Sequence, residues 1–583
     1  MKMSDKPLYK RGGGFLLEST PLDQTFTPED FNEEQKMIAQ MAREFMEKEV
    51  FPHRDKLESH DYELLRSLMK KAGELGLLAA DVPQDYEGMG LDKASSMLIA
   101  ENLSGEGSFA VTWGAHTGIG TLPIVFFGTE EQKKTYLPKL ASGEWIGAYA
   151  LTEPGAGSDA MNIKTRAERD GDHWVLSGQK QFITNAGFAD LFVVFAKVDG
   201  EAFTAFLVER DTPGLTIGPE ERKMGIKGSS TCPLYLDKVR IPASAVLGEI
   251  GKGHRIAFGI LNIGRYKLGV AALGAAKYAL KEAQQYAKER VQFGRPIAEF
   301  PLIQQKLGEM AWKIFATESM AYRLAGLLEE ELHGADHPLD AIAEYAIESS
   351  ILKVYGSEML DFVVDETVQI FGGYGFIEEY PAARAYRDAR INRLFEGTNE
   401  INRMLIPGML TRRAMKGQLP LMAAMGKVAQ EVLTFMPQPP TGEPFGEEHL
   451  ALDILKKITL LTAGVAAQVY GEALKDEQEI LAGVADLIMD IYAMESALLR
   501  VQKHHAEDAL LKDALHFGMG WALKTGALRA EELLSDLKQG DELRMMLSAL
   551  RKFTRWYLLP SRKATFRALA ARVLERGGYP WGA

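Results

Sequence analysis

Apolar positions along this chain change their period twice. In EEQKMIAQMAREFMEKEV, Met37, Met41 and Phe45 recur at four-residue spacing, and Ile38, Ala42 and Met46 widen the stripe, which predicts an amphipathic helix. TPEDFNEEQ supplies its start, with Pro28 at a first helical position, and GTEEQKKTYLPKLASGE predicts a short helix stopped by Gly143. From Trp145 the texture becomes short β-branched and aromatic runs: DHWVLSGQKQFITNA, DLFVVFAKV, AFTAFLVER and CPLYLDKVRIP, parted by Gly, Asp and Pro. RDGD at 169–172 is a hairpin signal. Helical spacing returns at Gly253, in a segment free of proline from Gly251 to Arg295, and continues to about Met415. MPQPPTGEPFGEE (436–448) reads as a linker, and His449 to Ala583 is helical again. The predicted order is a loose arm (1–26), a helical domain (27–146), a β domain (147–248), a second helical domain (249–415), a linker (416–448) and a C-terminal helical domain (449–583). That is a mainly α protein with an inserted, barrel-like β domain. The best charge-free run, Ile458 to Gly471, predicts a buried helix, and no stretch is expected to span a bilayer.

Composition narrows the function. A chain of 583 residues has room for several cores, and its net charge of −13 argues against general nucleic-acid binding. Cys232 is the one cysteine, so no internal disulfide forms, and it reads as a packed thiol in a reducing compartment. The N-terminus resembles neither a secretory signal nor a transit peptide, which leads to the expectation of a cytoplasmic protein. One segment departs from the acidic balance: Arg544 to Arg576 holds nine Lys or Arg and one acid, Glu575. Trp556, Tyr557, Leu558 and Leu559 give it an apolar side. Packing on the protein's own core is the first reading; peripheral attachment to anionic lipid is the second.

Two stretches carry candidate chemistry. RLFEGTNEINR places Glu396 between Phe395 and Gly397. A carboxylate against apolar neighbours has its pKa raised and becomes a better base. Read alone, the same stretch is a Gly turn before a helix capped by Thr398 or Asn399. YALTEPGAGSDA, Tyr149 to Ala160, has Gly and Pro that let backbone N–H groups approach a ligand, with the hydroxyls of Thr152 and Ser158 beside them. It suits a flavin edge or a phosphate, and equally a plain connection; it is neither a Rossmann fingerprint nor a P-loop. His116 reads as a hydrogen-bonded core residue, and with no other His at metal spacing no metal is expected.

Taken in order, YALTEPGAGSDA, GQKQFITNAG, KMGIKGSST, ERVQFGRPI, QIFGGYGF and YRDARINRLFEGTNEINR resemble the acyl-CoA dehydrogenase family over about Glu29 to Ala414. The extra C-terminal domain, with ILNIGRYKLGVAAL and TESMAY, is most similar to the very-long-chain branch. The resemblance implies a helical N-terminal domain, a middle β-barrel domain and a C-terminal four-helix bundle, followed by an additional helical domain. It implies FAD as cofactor, a fatty acyl-CoA substrate, electron-transfer flavoprotein as acceptor, and a homodimer or tetramer. In the family reaction a base takes a proton from the α carbon and a hydride leaves the β carbon for the flavin. Glu396 matches the base. In some branches the base stands where this chain has Gly264, which cannot serve.

Further roles are carried over in the same way. Tyr149, Leu151, Thr152 and Ser158 match the loop at the flavin ring, with Ser158 also reaching the pantetheine side. Phe182, Ile183 and Thr184 match the family's Trp-Ile-Thr; Phe182 keeps an aromatic face but loses the indole donor. Without the resemblance Phe182 and Ile183 read as core packing. Arg290, Phe293, Gln369, Gly372 and Gly373 match contacts to FAD, some of them to the flavin of the neighbouring subunit, whereas Arg290 alone reads as a surface ion pair with Glu289. Pro301 stands where many relatives have Gln, which leaves Gln304 as the substitute contact. Thr398 and Glu400 match further FAD contacts; Asn262, Arg265, Phe395 and Gly397 match substrate contacts. Gly114, Gly118 and Gly120 align near the closed end of the tail pocket and would deepen it for long chains. An oxidase using oxygen, and a non-catalytic assembly or binding protein, are the rival readings; retained Glu396 speaks against the second.

Overall fold

The computed structural model describes residues 6–335, 337–432, 434–438 and 442–582. The first helix of the N-terminal part is Glu33–Phe45, begun by a reciprocal cap between Asn32 and Gln35. Pro28 starts a separate 3-10 turn, Pro28–Asp30, rather than this helix. The buried stripe runs through Ile38, Ala42, Phe45 and Met46, while Met37 is 70% exposed, so the apolar face is rotated from the expected one. The arm is not loose. Its 3-10 turns bury Phe15 and Leu16, and the Gly13 N–H donates to Glu348 at 2.7 Å.

Strands fill Gly147 to Leu247: β1 (Gly147–Ala150), β2 (Arg166–Asp170), β3 (His173–Thr184), β4 (Leu191–Val198), β5 (Ala202–Glu209), β6 (Leu215–Ile217), β7 (Thr231–Pro242) and β8 (Val246–Leu247). They form one sheet ordered β6-β7-β3-β2-β4-β5-β8, with β1 parallel to β4. RDGD is the β2–β3 hairpin, pairing Asp170 with His173. The β3–β7 ladder slips between Lys180 and Ile183, and Phe182 has φ of 58° there. Such a bulge re-aims a side chain. Phe182 is 61% exposed, whereas Ile183 is buried; core packing therefore holds for one of the pair and not the other. Cys232, opposite Ile183 on β7, is a buried thiol pushed up to about 12 by burial and by Glu220.

Helices Gly253–Glu289, Pro301–Gly334, Ala346–Phe371 and Asn399–Met415 pack on one another as the bundle. Gly253–Glu289 is long and apolar enough to cross a membrane by length and composition, contrary to the expectation that no segment is. It is instead a core helix: 67% of its apolar window is buried by the bundle and the N-terminal helices. The segment expected as linker contains a helix, Leu421–Glu431, which packs Leu421 and Val428 against the C-terminal part; residues 433 and 439–441 of that segment lie outside the described residues.

Five helices follow: Gly446–Tyr470, Gln478–His504, Ala509–Leu537, Gly540–Thr554 and Arg562–Arg576. The run Ile458–Ala466 is mostly buried. In the basic segment Phe553, Tyr557, Phe566 and Leu569 are buried, Arg551 and Lys563 face out, and Leu558 remains 76% exposed. His116 is a core residue. Its Nδ1 accepts the Gly147 N–H at 3.0 Å and its Nε2 meets the Leu140 carbonyl at 2.9 Å, which ties the N-terminal helices to β1.

Candidate active site

Glu396 and Gly397 both occupy the left-handed region, with φ of 56° and 79°. A non-glycine residue there is strained unless its surroundings over-determine it. Here they do. Lys353, fully buried on the Ala346–Phe371 helix, donates to the Gly397 carbonyl and to Asn399 Oδ1, both at 2.7 Å. Asn402 Nδ2 donates to the Gly397 carbonyl at 2.9 Å and the Thr398 carbonyl at 3.1 Å. Thr398 caps the next helix by accepting the Ile401 N–H at 3.2 Å. The helix-cap reading of this stretch is thus correct in its own right, and the turn it creates is what turns Glu396 inward.

The Glu396 carboxylate lies against Gly264. A Cβ at Gly264 would come within 2.4 Å of Oε2. Oε2 is shielded and has no hydrogen-bond partner, and the Tyr149 hydroxyl is likewise buried and unpaired. Burial pushes the Glu396 carboxyl up to about 7, against the opposing pull of Arg265 and Lys353. Arg265 is spent partly elsewhere, donating to Asn262 Oδ1 at 2.7 Å. Lys353 is itself pushed down to about 8 by burial. Such a carboxylate, unpaired and titrating near neutrality, is suited to take a proton from a weak carbon acid.

Gly264→Ala is expected to displace this carboxylate rather than unfold the helix, because the obstructed atoms are the end of a flexible side chain. A misplacement of about 1 Å costs on the order of a hundredfold in rate, so kcat should fall ten- to a hundredfold with KM little changed. Steady-state kinetics check this; a kcat within twofold of wild type would show that Gly264 does not set the position of Glu396.

Glu396, Phe395, Gly264 and Thr184 line one cavity. Its walls are small: Ala100, Ala110, Gly114, Gly118, Ala271 and Ala275 are among them. A Cβ at Gly114 or Gly118 would meet open space. Gly120 is different. A Cβ there would lie 2.8 Å from the Gly147 carbonyl carbon, so Gly120 serves the close approach to β1 and not the cavity.

The expected flavin-ring residues divide by depth. Tyr149 and Ile183 are buried in the sheet, Leu151 is buried just after β1, Thr152 is half-buried, and Ser158 is exposed on its loop. The loop is anchored by Glu153, which accepts the Thr165 N–H at 3.0 Å and Lys180 Nζ at 2.8 Å. The exposed Phe182 ring beside Thr184, the open space at Gly155 and Gly157, and the orphaned Tyr149 hydroxyl fit a planar aromatic cofactor.

Arg290, Gly372 and Gly373 belong to a second cavity, which Glu396 and Thr184 do not line. Arg290 lies 5.4 Å over the Tyr374 ring and makes no ion pair with Glu289 among the described residues. Phe293 is 95% exposed, with φ of 54°, in the turn between the paired segments Val291–Gln292 and Arg295–Pro296. Gln369 is exposed and Gln304 half-buried, and neither lines either cavity. Glu400 is exposed, its carboxyl lowered by hydrogen bonds to its own backbone and to Thr398. Glu396 and Thr184 thus share one cavity, whereas Arg290, Gly372 and Gly373 line another.

Sequence profiles of the acyl-CoA dehydrogenase N-terminal, middle and C-terminal domains match residues 32–144, 148–239 and 251–409, and a further C-terminal domain profile matches 454–552. The chain belongs to the acyl-CoA dehydrogenase family. It is 53% identical over 561 residues to a probable acyl-CoA dehydrogenase of Bacillus subtilis, covering 94% of both chains. It is 34% identical to the mitochondrial very long-chain specific acyl-CoA dehydrogenase of Macaca fascicularis, covering 95% of this chain and 86% of that one. The crystal structure of an acyl-CoA dehydrogenase complexed with FAD from Bacillus anthracis superposes with a TM-score of 0.95 at 52% identity, covering 98% of this chain and 99% of the other.

Residues that the sequence reading passed over complete this dehydrogenase site: Lys353 and Asn402, which hold the Glu396 turn, and the Glu153–Lys180 pair, which holds the loop. A charged residue inside an otherwise apolar run, as in ILKVYG, was the available signal.

Proposed function

We propose that the protein is an FAD-dependent dehydrogenase of long-chain fatty acyl-CoA, forming the trans-2-enoyl-CoA within fatty acid β-oxidation and passing electrons to electron-transfer flavoprotein. The observation that carries it is the unpaired, desolvated Glu396 carboxylate at the head of a long cavity walled by alanine and glycine. Glu396 takes the α proton. Its turn, pinned by Lys353 and Asn402, keeps the carboxylate aimed while the charge moves. FAD, when bound, supplies the acceptor for the hydride. Phe182 would pack on the ring and Thr184 bond to it; Arg265 and Asn262 would lie on the CoA side. The exposed Phe293 and Phe376, beside Arg290 and Gly373, support a homodimer in which this face meets the cofactor of the other copy. Anaerobic bleaching of the flavin by a long-chain acyl-CoA tests the reading, and reoxidation by a flavoprotein acceptor but not by air separates dehydrogenase from oxidase. No bleaching by any acyl-CoA would sink it.

Chain length follows from the cavity. Each buried methylene contributes about 0.8 kcal/mol, so the preference grows until the slot is full. Gly118→Leu fills open space in the wall and is expected to lower kcat/KM for a sixteen-carbon acyl-CoA at least about tenfold relative to a six-carbon one. An unchanged ratio would remove Gly118 from the tail pocket.

A further inference from the structure

The cavity does not end among alanines. Its wall follows the Gly253–Glu289 helix from Gly264, beside the Glu396 carboxylate, through Ala271 and Ala275 to Tyr278 and Glu282. At 1.5 Å per helical residue, Tyr278 stands about 21 Å beyond Gly264. An alkyl chain with C–C bonds of about 1.5 Å at tetrahedral angles advances roughly 1.25 Å per carbon, so about sixteen to eighteen carbons reach that level. A second element marks the same level: a Cβ at Gly105 would lie 2.8 Å from the Tyr278 ring.

Two incompletely satisfied polar groups line the cavity there. Glu106 is 3% exposed; its Oε2 accepts the Phe109 N–H at 2.6 Å, but its Oε1 has no partner. A buried carboxylate oxygen left unpaired is costly and calls for an explanation. Arg54 makes no ion pair among the described residues. Its guanidinium lies 3.8 Å over the Phe51 ring and reaches the Gly105 carbonyl at 3.5 Å, which leaves several N–H donors unused. Of the neighbouring charges, Asp388 accepts the Ile226 N–H, and Arg384 pairs with Asp55 at 2.7 Å while its Nε stays buried without a hydrogen-bond partner.

We propose that Glu106 and Arg54 form a subsite for an oxygen at the far end of the acyl chain, so that ω-hydroxylated acyl-CoAs of about sixteen to eighteen carbons are substrates alongside plain chains. The inference rests on the acyl-CoA reading above. A hydroxyl is the matching group because it donates one hydrogen, to Glu106 Oε1, and accepts another, from Arg54. A terminal methyl leaves both groups unsatisfied. A terminal carboxylate would meet Glu106, Asp388 and Glu282 on the same wall.

The test compares kcat/KM for the ω-hydroxyacyl-CoA and the plain acyl-CoA of equal length, from about ten to twenty carbons. The ratio is expected to be below one for short chains, whose hydroxyl would be buried among alanines, and to rise at least tenfold as the terminal carbon reaches Tyr278. Arg54→Met should then lower the ratio about tenfold at the favoured length, by removing a charge-assisted hydrogen bond. A wild-type ratio that stays flat or falls with length overturns the subsite, whatever the variant does, as does an Arg54→Met ratio equal to wild type. Absence of turnover for every plain acyl-CoA would instead overturn the acyl-CoA reading.

Discussion

Glu396→Gln is expected to keep bound flavin, to lose turnover by about a thousandfold, and to make the protein more stable at neutral pH. The amide has the shape of the carboxylate but cannot take a proton. The stability gain follows from the same burial that raises the Glu396 carboxyl. Its carboxyl is pushed up to about 7, from an ordinary value of 4.5. Between those values the folded state binds a proton that the unfolded state has released, so stability falls as pH rises from about 4.5 to 7 and stays lower above it. Gln carries no such penalty, and the difference amounts to at most about 3 kcal/mol above pH 7. Wild-type kcat/KM should accordingly rise about tenfold per pH unit as pH approaches 7, then level off. Denaturant unfolding at pH 8 and steady-state kinetics decide it. A Gln variant turning over at the wild-type rate would place the base elsewhere, and equal stabilities would mean that the carboxylate is not desolvated.

What the sequence could and could not reveal divides along physical lines. Period changes announced the helical and β regions because burial imposes a period of 3.6 in one and 2 in the other. They could not say which way a helix faces: Met37 is as apolar as Ile38, but only contacts distant in sequence decide that Ile38 is the buried one. Phe182 and Ile183 look alike in a strand pattern, and the bulge that separates them depends on the register of β7, about fifty residues away. Glu396 was legible through its neighbours and the family motifs. Its supports were not, since Lys353 lies 43 positions earlier and acts through the Gly397 backbone. The arm misled for a similar reason. Gly12 and Gly13 look like a flexible tether, yet Gly13 lets the backbone pass close to Leu410 and Ile347, and Glu344 and Glu348 receive the two N–H groups.

Arg500→Ala is expected to cost about 3–5 kcal/mol, among the largest single losses available outside the active site. Arg500, on the Gln478–His504 helix, is fully buried where three parts of the chain meet. Its guanidinium donates to Glu29 at 2.7 Å, to Glu318 Oε2 at 2.7 Å, and stacks 4.3 Å over Phe315. The network continues outward: Tyr579 donates to Glu318 Oε2 at 2.5 Å, and Lys277 bonds both Glu318 and Glu101. Burial alone would raise the Glu29 carboxyl, yet Arg500 and His505 hold it well below the usual carboxylate range. Removing the cation leaves the buried Glu318 and the half-buried Glu29 carboxylates without their shared guanidinium, and that penalty, not the lost attraction alone, sets the size of the effect. It should appear as an earlier unfolding transition that releases the C-terminal helices. A triple variant, Glu29→Gln, Glu318→Gln and Arg500→Met, removes all three charges together and should recover most of the loss, since a neutral, well-packed cluster can match a buried ion network. Denaturant titration followed by tryptophan fluorescence reads both variants. A change below about 1 kcal/mol for Arg500→Ala would mean that water reaches Glu29 and Glu318 once the guanidinium is gone, and that the C-terminal helices are fastened by their apolar contacts instead.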